Sequence, residues 1–326
     1  MRLNSVNMAE RRSRRQAARW GMAAAWAAVG APPCGDEPPW EIAPYRIHMT
    51  LAVDDTVRPE PGLQARLSQQ LQQRVEASLR PWWVLTIEGA ADPAARRMCF
   101  APDLTTTDEP PLPLPPVDKM MWVGVSAAPV GYEIQVQEFD ALTRRWAWPV
   151  HSTARQRSML AESTFRAVVE AFAPLARIEP GETPADAQLI MKGGALPRPP
   201  GADLLTAPGD AFLPMVRRVR GGSSDSSLPV VPWTYLVAVD ESPGIWRAVV
   251  DSALRQPLAA RRRGLVEHLA IGLGRPREPA MVRFFARSNP DEPLAGYEVF
   301  RIPAEGENPV LAGRTGADGV FAVYPG

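Results

Sequence analysis

The sequence predicts an α+β protein: an N-terminal β-α-β-β-β-α-β sandwich followed by an all-β region shaped as a barrel or a second sandwich. Three observations predict it. Tyr45–Val53 alternates apolar and polar side chains, and residues 62–79 then place Leu63, Leu67, Leu71, Val75 and Leu79 at four-residue steps. Beyond about residue 210 the helical period gives way to short apolar runs broken by Gly, Pro, Asp and Ser. Between the two regions, 196–209 carries Pro197, Pro199, Pro200, Gly201, Pro208 and Gly209, which reads as a linker.

The elements follow in chain order. Tyr45, Ile47, Met49, Leu51 and Val53 share one face of a half-buried strand, with Arg46, His48 and Thr50 opposite. The helix over 62–79 stops at Arg80-Pro81, because proline disfavours helix at the residue before it. Residues 82–87 form a second strand. The run Pro110-Pro-Leu-Pro-Leu-Pro-Pro116 predicts an extended connector. Residues 120–126 and 132–139 read as a hairpin around Pro129 and Gly131, with Trp146 and Trp148 extending its sheet. A second helix is expected over 158–178, and 187–191 is expected to close the sandwich, with helices on one face of a mainly antiparallel sheet. Strands are then expected over 212–218, 230–239, 246–250, 265–273 and 282–286. Domain limits follow: a leader over 1–40, a sandwich over 41–195, the linker over 196–209, and an all-β region over 210–326.

Near the C-terminus, Asp318-Gly319 lies between apolar runs, and Asp-Gly is a strong hairpin signal because a type I′ turn needs φ > 0 at both central residues. With Leu294-Ala-Gly-Tyr-Glu-Val-Phe300 upstream and Gly313-Arg-Thr-Gly-Ala-Asp-Gly-Val-Phe321 around the turn, residues 281–326 resemble carboxypeptidase-regulatory-like and pilin-type (SpaA-like) β-sandwich modules. That resemblance implies a non-catalytic, prealbumin-like fold in an exported protein. It also implies a further strand after Pro325-Gly326, or upstream strands that complete the sheet. A generic hairpin of an unrelated β-fold is the alternative. The order β-α-β-β-β-α-β is similar to the N-terminal domain of Tol-Pal translocation proteins in architecture alone. The chain as a whole resembles exported bacterial proteins.

Composition narrows the function classes. Among 326 residues, 36 basic and 36 acidic side chains balance, so no net field favours nucleic acid or an anionic membrane. Only Lys119 and Lys192 of the basic residues are lysine, and an arginine-rich coding bias accounts for this. Arg11-Arg-Ser-Arg-Arg15 and Arg19 precede the uncharged run Trp20 to Ala31, which has the length of a signal-peptide apolar region and falls short of a membrane span. Small-residue cleavage sites lie near 25–27 and 29–31. Pro32-Pro33 before Cys34 departs from a lipobox, so lipidation is not expected. Periplasmic, extracellular or envelope localisation is. Cys34 and Cys99 are the only cysteines, an even number that suggests a disulfide in an oxidising compartment, with two free thiols, or loss of Cys34 with the leader, as the alternatives.

No catalytic, metal or cofactor motif is present. His48, His151 and His268 are the only histidines, and no HExxH, CxxC or phosphate-binding loop accompanies them. Candidate binding residues are therefore aromatic or basic: Trp82, Trp83, Trp146 and Trp148 as stacking surfaces, with Trp233 further on, and Arg261, Arg262 and Arg263 as an anion grip. Trp82 and Trp83 cannot both face inward on one strand. The expected function is an exported, non-enzymatic accessory or scaffold protein that binds a protein or an envelope component. The alternatives are a hydrolase using His151 with Glu162 or Asp140, and a carbohydrate-binding module using exposed tryptophans.

Overall fold

The structure is a computed structural model that describes residues 38–55, 57, 62–100, 116–218, 228–258, 266–274, 280–301 and 308–323. The leader with Cys34, most of the proline run, the glycine-serine segment 221–227 and Arg261-Arg262-Arg263 lie outside the described residues.

The α+β class holds. The first sheet contains β1 (Tyr45–Val53), β2 (Trp83–Gly89), β3 (Lys119–Ala127), β4 (Tyr132–Asp140), β5 (Arg145–Trp146) and β6 (Val150–Ala154). Its order is β2-β1-β3-β4-β5, with β6 also on β4. The expectation of a mainly antiparallel sheet needs correcting at its centre, where β1 is parallel to both neighbours. Parallel neighbours need long crossovers. The helix α1 (Leu63–Leu79) supplies the first, and α2 (Pro93–Phe100), which the sequence reading missed, supplies the second.

The first crossover steps from β1 to β2 and the second steps back from β2 past β1 to β3, so right-handed connections place their helices on opposite faces. The packing agrees. On one face α1 buries Leu67, Leu71 and Val75 with Phe165 and Val168 of α3 (Arg157–Ala171). On the other, Cys99 of α2 packs with Met120, Trp122 and Phe139. This second cover is why Thr50 and Ala52 are buried where alternation leaves them open.

The second helix ends at Ala171, seven residues short of its expected end at 178. Pro174 explains this, because it disfavours helix at Ala173 and has no N–H to donate. The chain turns instead into β7 (Leu175–Pro180), which pairs antiparallel with β8 (Asp186–Met191). With β9 (Ala211–Arg218), β10 (Thr234–Ser242), β11 (Ile245–Ser252) and β12 (Val266–Gly274) they form a closed barrel of order β10-β11-β8-β7-β12-β9. The change of sheet therefore falls at 172–174, and the strand expected to close the sandwich belongs to the barrel. Six strands enclose little space, and Ala176, Ala187, Ala238, Ala248 and Ala270 fill it beside Phe212 and Trp246. The main core runs on into barrel residues Met215 and Ile271.

The C-terminal strands form three two-stranded sheets. These are β13 (Ala280–Arg283) with β18 (Val320–Val323), β14 (Phe285–Ala286) with β15 (Asn289–Pro293), and β16 (Glu298–Arg301) with β17 (Val310–Arg314). Thr315, just after β17, ties down the connection between β15 and β16. Its Oγ1 donates to Leu294 O at 2.5 Å and accepts from Tyr297 N at 2.9 Å.

The Asp318-Gly319 turn is real, but it joins β17 to β18, which lie in different sheets. Gly319 has φ 73°, and a Cβ there would sit 2.4 Å from Phe284 O. Asp318 has no positive φ, so the turn is not type I′. Its carboxylate instead accepts Val320 N at 3.0 Å.

Candidate functional site

Ionisable side chains gather where the sheet meets the barrel. After α3 the chain passes through Phe172-Ala173-Pro174 into β7. Lys119 opens β3 opposite Asp140, and Glu138 lies two residues before Asp140, so all three share the face covered by α1 and α3. All three side chains are 0% exposed. Three oxygens surround the three ammonium protons: Glu138 Oε1 at 2.7 Å, Asp140 Oδ2 at 2.7 Å and the carbonyl of Ala173. The Asp140 carboxylate is an ion-pair partner within hydrogen-bonding distance of the ammonium. The Ala173 N–H in turn donates to both Glu138 oxygens at 3.2 Å. The other Asp140 oxygen accepts Thr143 N at 2.6 Å.

A single residue of the joint, Ala173, is thus held through both backbone groups. Tyr45 holds the next strand in the same way. Its hydroxyl donates to Leu175 O at 3.2 Å and accepts Leu175 N at 2.8 Å. Phe172 packs between the two groups, with ring centroids 4.9 Å from Tyr45 and 4.6 Å from Trp83, and Lys119 Nζ lies 5.3 Å from its ring.

Burial sets the electrostatics. Taking ions out of water costs several kcal/mol each. Burial pushes the Glu138 carboxyl up to about 7, although Lys119 pulls it back. Burial by itself depresses Lys119, but Asp140 and Glu138 outweigh it and hold the ammonium above the ordinary lysine range. Burial likewise raises Tyr45 well above the usual phenol range.

A crevice with room for about one water, about 20 Å³, runs along the joint between Tyr45, Trp82, Phe172, Lys192 and Trp246. Arg198, bonded to Glu241 and Asp203, also lines it. Lys192 pairs with Asp118 at 3.1 Å. Both lysines of the chain therefore sit at this joint. The sequence carried that signal, and the coding-bias reading of the arginine excess passed over it.

The predicted site residues are scattered. Trp83 is 1% exposed in the main core, whereas Trp82 precedes β2 and lines the crevice, which resolves their conflict. Trp146 packs on Trp122 and Phe139 at 5.1 and 4.9 Å, so it is a lid on the α2-side core and not a free platform. Trp148 is 76% exposed and Trp233 is 78% exposed, the latter with φ 54°.

His151 Nδ1 lies 3.9 Å from Glu133 Oε1, while Glu162 is bonded by Arg74 and Arg166 and Asp140 is in the buried cluster. His48 lies 3.9 Å from Glu88, and burial lowers His268. Cys99 is a free thiol bonded to Thr50 O at 3.5 Å and pushed up to about 12 by burial. Among the described residues no three His, Cys, Asp or Glu side chains gather as a metal site would need, and no helix is long and apolar enough to cross a membrane.

No protein-family model matches the chain, and no curated protein matches it. A solved structure, TolB from Acinetobacter baumannii, aligns over 87% of this chain and 72% of that one at 9% identity, with a TM-score of 0.21. That superposition carries no argument about fold or function.

Proposed function

We propose that this is an exported, non-enzymatic accessory protein that works by contact, with its C-terminal strands as the surface that meets a protein or an envelope component. One observation carries the reading. Met281, Phe285, Tyr297, Phe300, Val310 and Leu311 are all exposed on strands β13 to β17 and the turn before β16. Phe300 and Leu311 are cross-strand partners, and Val310 follows opposite Arg301, so apolar side chains adjoin across β16 and β17. Contiguous exposed apolar side chains mark interaction sites, and aromatic residues with a charged rim suit the centre of an interface. The Glu298–Arg314 pair at 2.7 Å supplies such a rim. The basic leader supports export, and the likeness of 281–326 to non-catalytic sandwich modules supports a binding role.

The test is affinity capture from the envelope fraction of the native host with the wild-type chain and with a Phe300→Ser/Leu311→Ser variant. The reading expects a captured component that the variant loses while its thermal midpoint stays put. Identical capture by both proteins would remove these strands from the account. A second reading, carbohydrate binding, is favoured by the exposed Trp148 and Trp233 rings. Fluorescence titration with polysaccharides tests it, and an unchanged emission spectrum would count against it.

A further inference from the structure

We propose that Lys119, Glu138 and Asp140 form a proton-linked latch on the joint, which loosens the connection between sheet and barrel when Glu138 gives up its proton. The geometry places the cluster where a latch must act. It grips Ala173 through its N–H and its carbonyl, and Ala173 lies in the three-residue passage between α3 and the barrel. Its neighbours on the barrel side depend on that placement. Gly272 N donates to Pro174 O at 2.7 Å, and Lys192 N donates to Leu175 O at 3.0 Å.

The groups facing Glu138 are few. Lys119 faces it from β3, Asp140 from its own strand and Tyr45 from β1, with Asp118 and its partner Lys192 further out. α3 and the passage after it bring Phe172 and the Ala173 amide. One lysine balances one carboxylate, so the second carboxylate leaves a buried excess of negative charge whenever both are ionised.

The sign follows from linkage. Closed, Glu138 titrates at about 7, against an ordinary value of 4.5. The closed joint therefore binds the proton more tightly than an opened, hydrated one. Acid favours closure, and raising the pH through neutrality favours opening. These two values make the opening constant rise on the order of tenfold between about pH 6 and pH 8.

Hydrogen exchange of the Ala173, Leu175 and Gly272 amides, corrected for intrinsic rates, reads this directly. Wild type is expected to show the rise, and Glu138→Gln, which stays neutral, is expected to be flat. A flat wild-type profile, or an equal rise in the variant, overturns the proposal. A readout on wild type alone covers the case in which the variant does not fold. With carbon-13 in the glutamate carboxyls, one carboxyl is expected to titrate near neutrality, and a set that titrates entirely in the ordinary glutamate range contradicts the latch.

Discussion

The body of the molecule and its C-terminal strands treat polar and apolar side chains in opposite ways. The sheet and barrel enclose three ionisable side chains, Lys119, Glu138 and Asp140, without any exposure. Strands β13 to β18 leave Phe300 50% exposed, with Met281, Phe285 and Leu311 in similar positions. In the body each costly group has partners fixed by β3, β4 and the Ala173 backbone. In the terminal strands Phe284, Leu294, Val299 and Phe321 are only half-buried, and the described side chain that is most fully enclosed is the polar hub Thr315. A two-stranded sheet is marginal by itself. The contrast teaches that the body fixes even its ionisable groups among buried partners, whereas the terminal strands leave apolar side chains at the surface, as the proposed contact role requires.

The sharpest way to break this contrast is inside the body. Lys119→Met leaves Glu138 and Asp140 buried without their counter-ion, and about 3–5 kcal/mol of stability is expected to go, measured by denaturant unfolding. A loss below about 1 kcal/mol would mean that the cluster is hydrated and not a buried one. Leu71→Ala, on the buried face of α1, is expected to cost about 3 kcal/mol by the same measurement, as a reference for apolar packing.

Gly319→Val comes next. It puts a β-branched side chain at φ 73° and against Phe284 O, a strain of about 1–3 kcal/mol confined to the terminal strands. Faster amide exchange of β16 to β18 with an unchanged thermal midpoint of the body is the expected result. The smallest effect belongs to Phe300→Ser, within about 0.5 kcal/mol of wild type in stability.

The pH dependence sharpens the same comparison. The folded value of Glu138 lies above the unfolded one, so its stabilising contribution is fully present below about pH 4.5 and is lost as the pH rises through about 7. Glu138→Gln is expected to flatten that part of the stability–pH curve. An unchanged curve would place the titration elsewhere.

Much of this fold could be read from residue spacing. The leucines of α1 and the alternation of β1 are periodic, and periodicity reports burial directly. The Gly319 turn was visible because few residues accept φ > 0. α2 was missed although Asp92-Pro93 is an N-cap with proline at the first helical position, because eight residues are too few to show a helical period. The end of α3 was missed because Phe172 and Leu175 continue its apolar stripe, and Pro174 outranked that pattern.

The candidate site was less legible still. Lys119, Glu138 and Asp140 come together only because β3 and β4 pair in one register and the chain returns past them at Ala173. Charge spacing along the sequence does not encode that return. The compositional hint lay in lysine standing alone among arginines. A compact ammonium suits three converging oxygens, whereas a planar guanidinium does not.

Native-state hydrogen exchange across the whole chain tests the central claim most directly. Amides of β1, β3 and β4 are expected to exchange together, through global opening, while those of β16 and β17 exchange at least a hundredfold sooner through local opening of about 3 kcal/mol less. Equal protection of β16 and β17 in the isolated protein would contradict the account, because those strands would then already be covered.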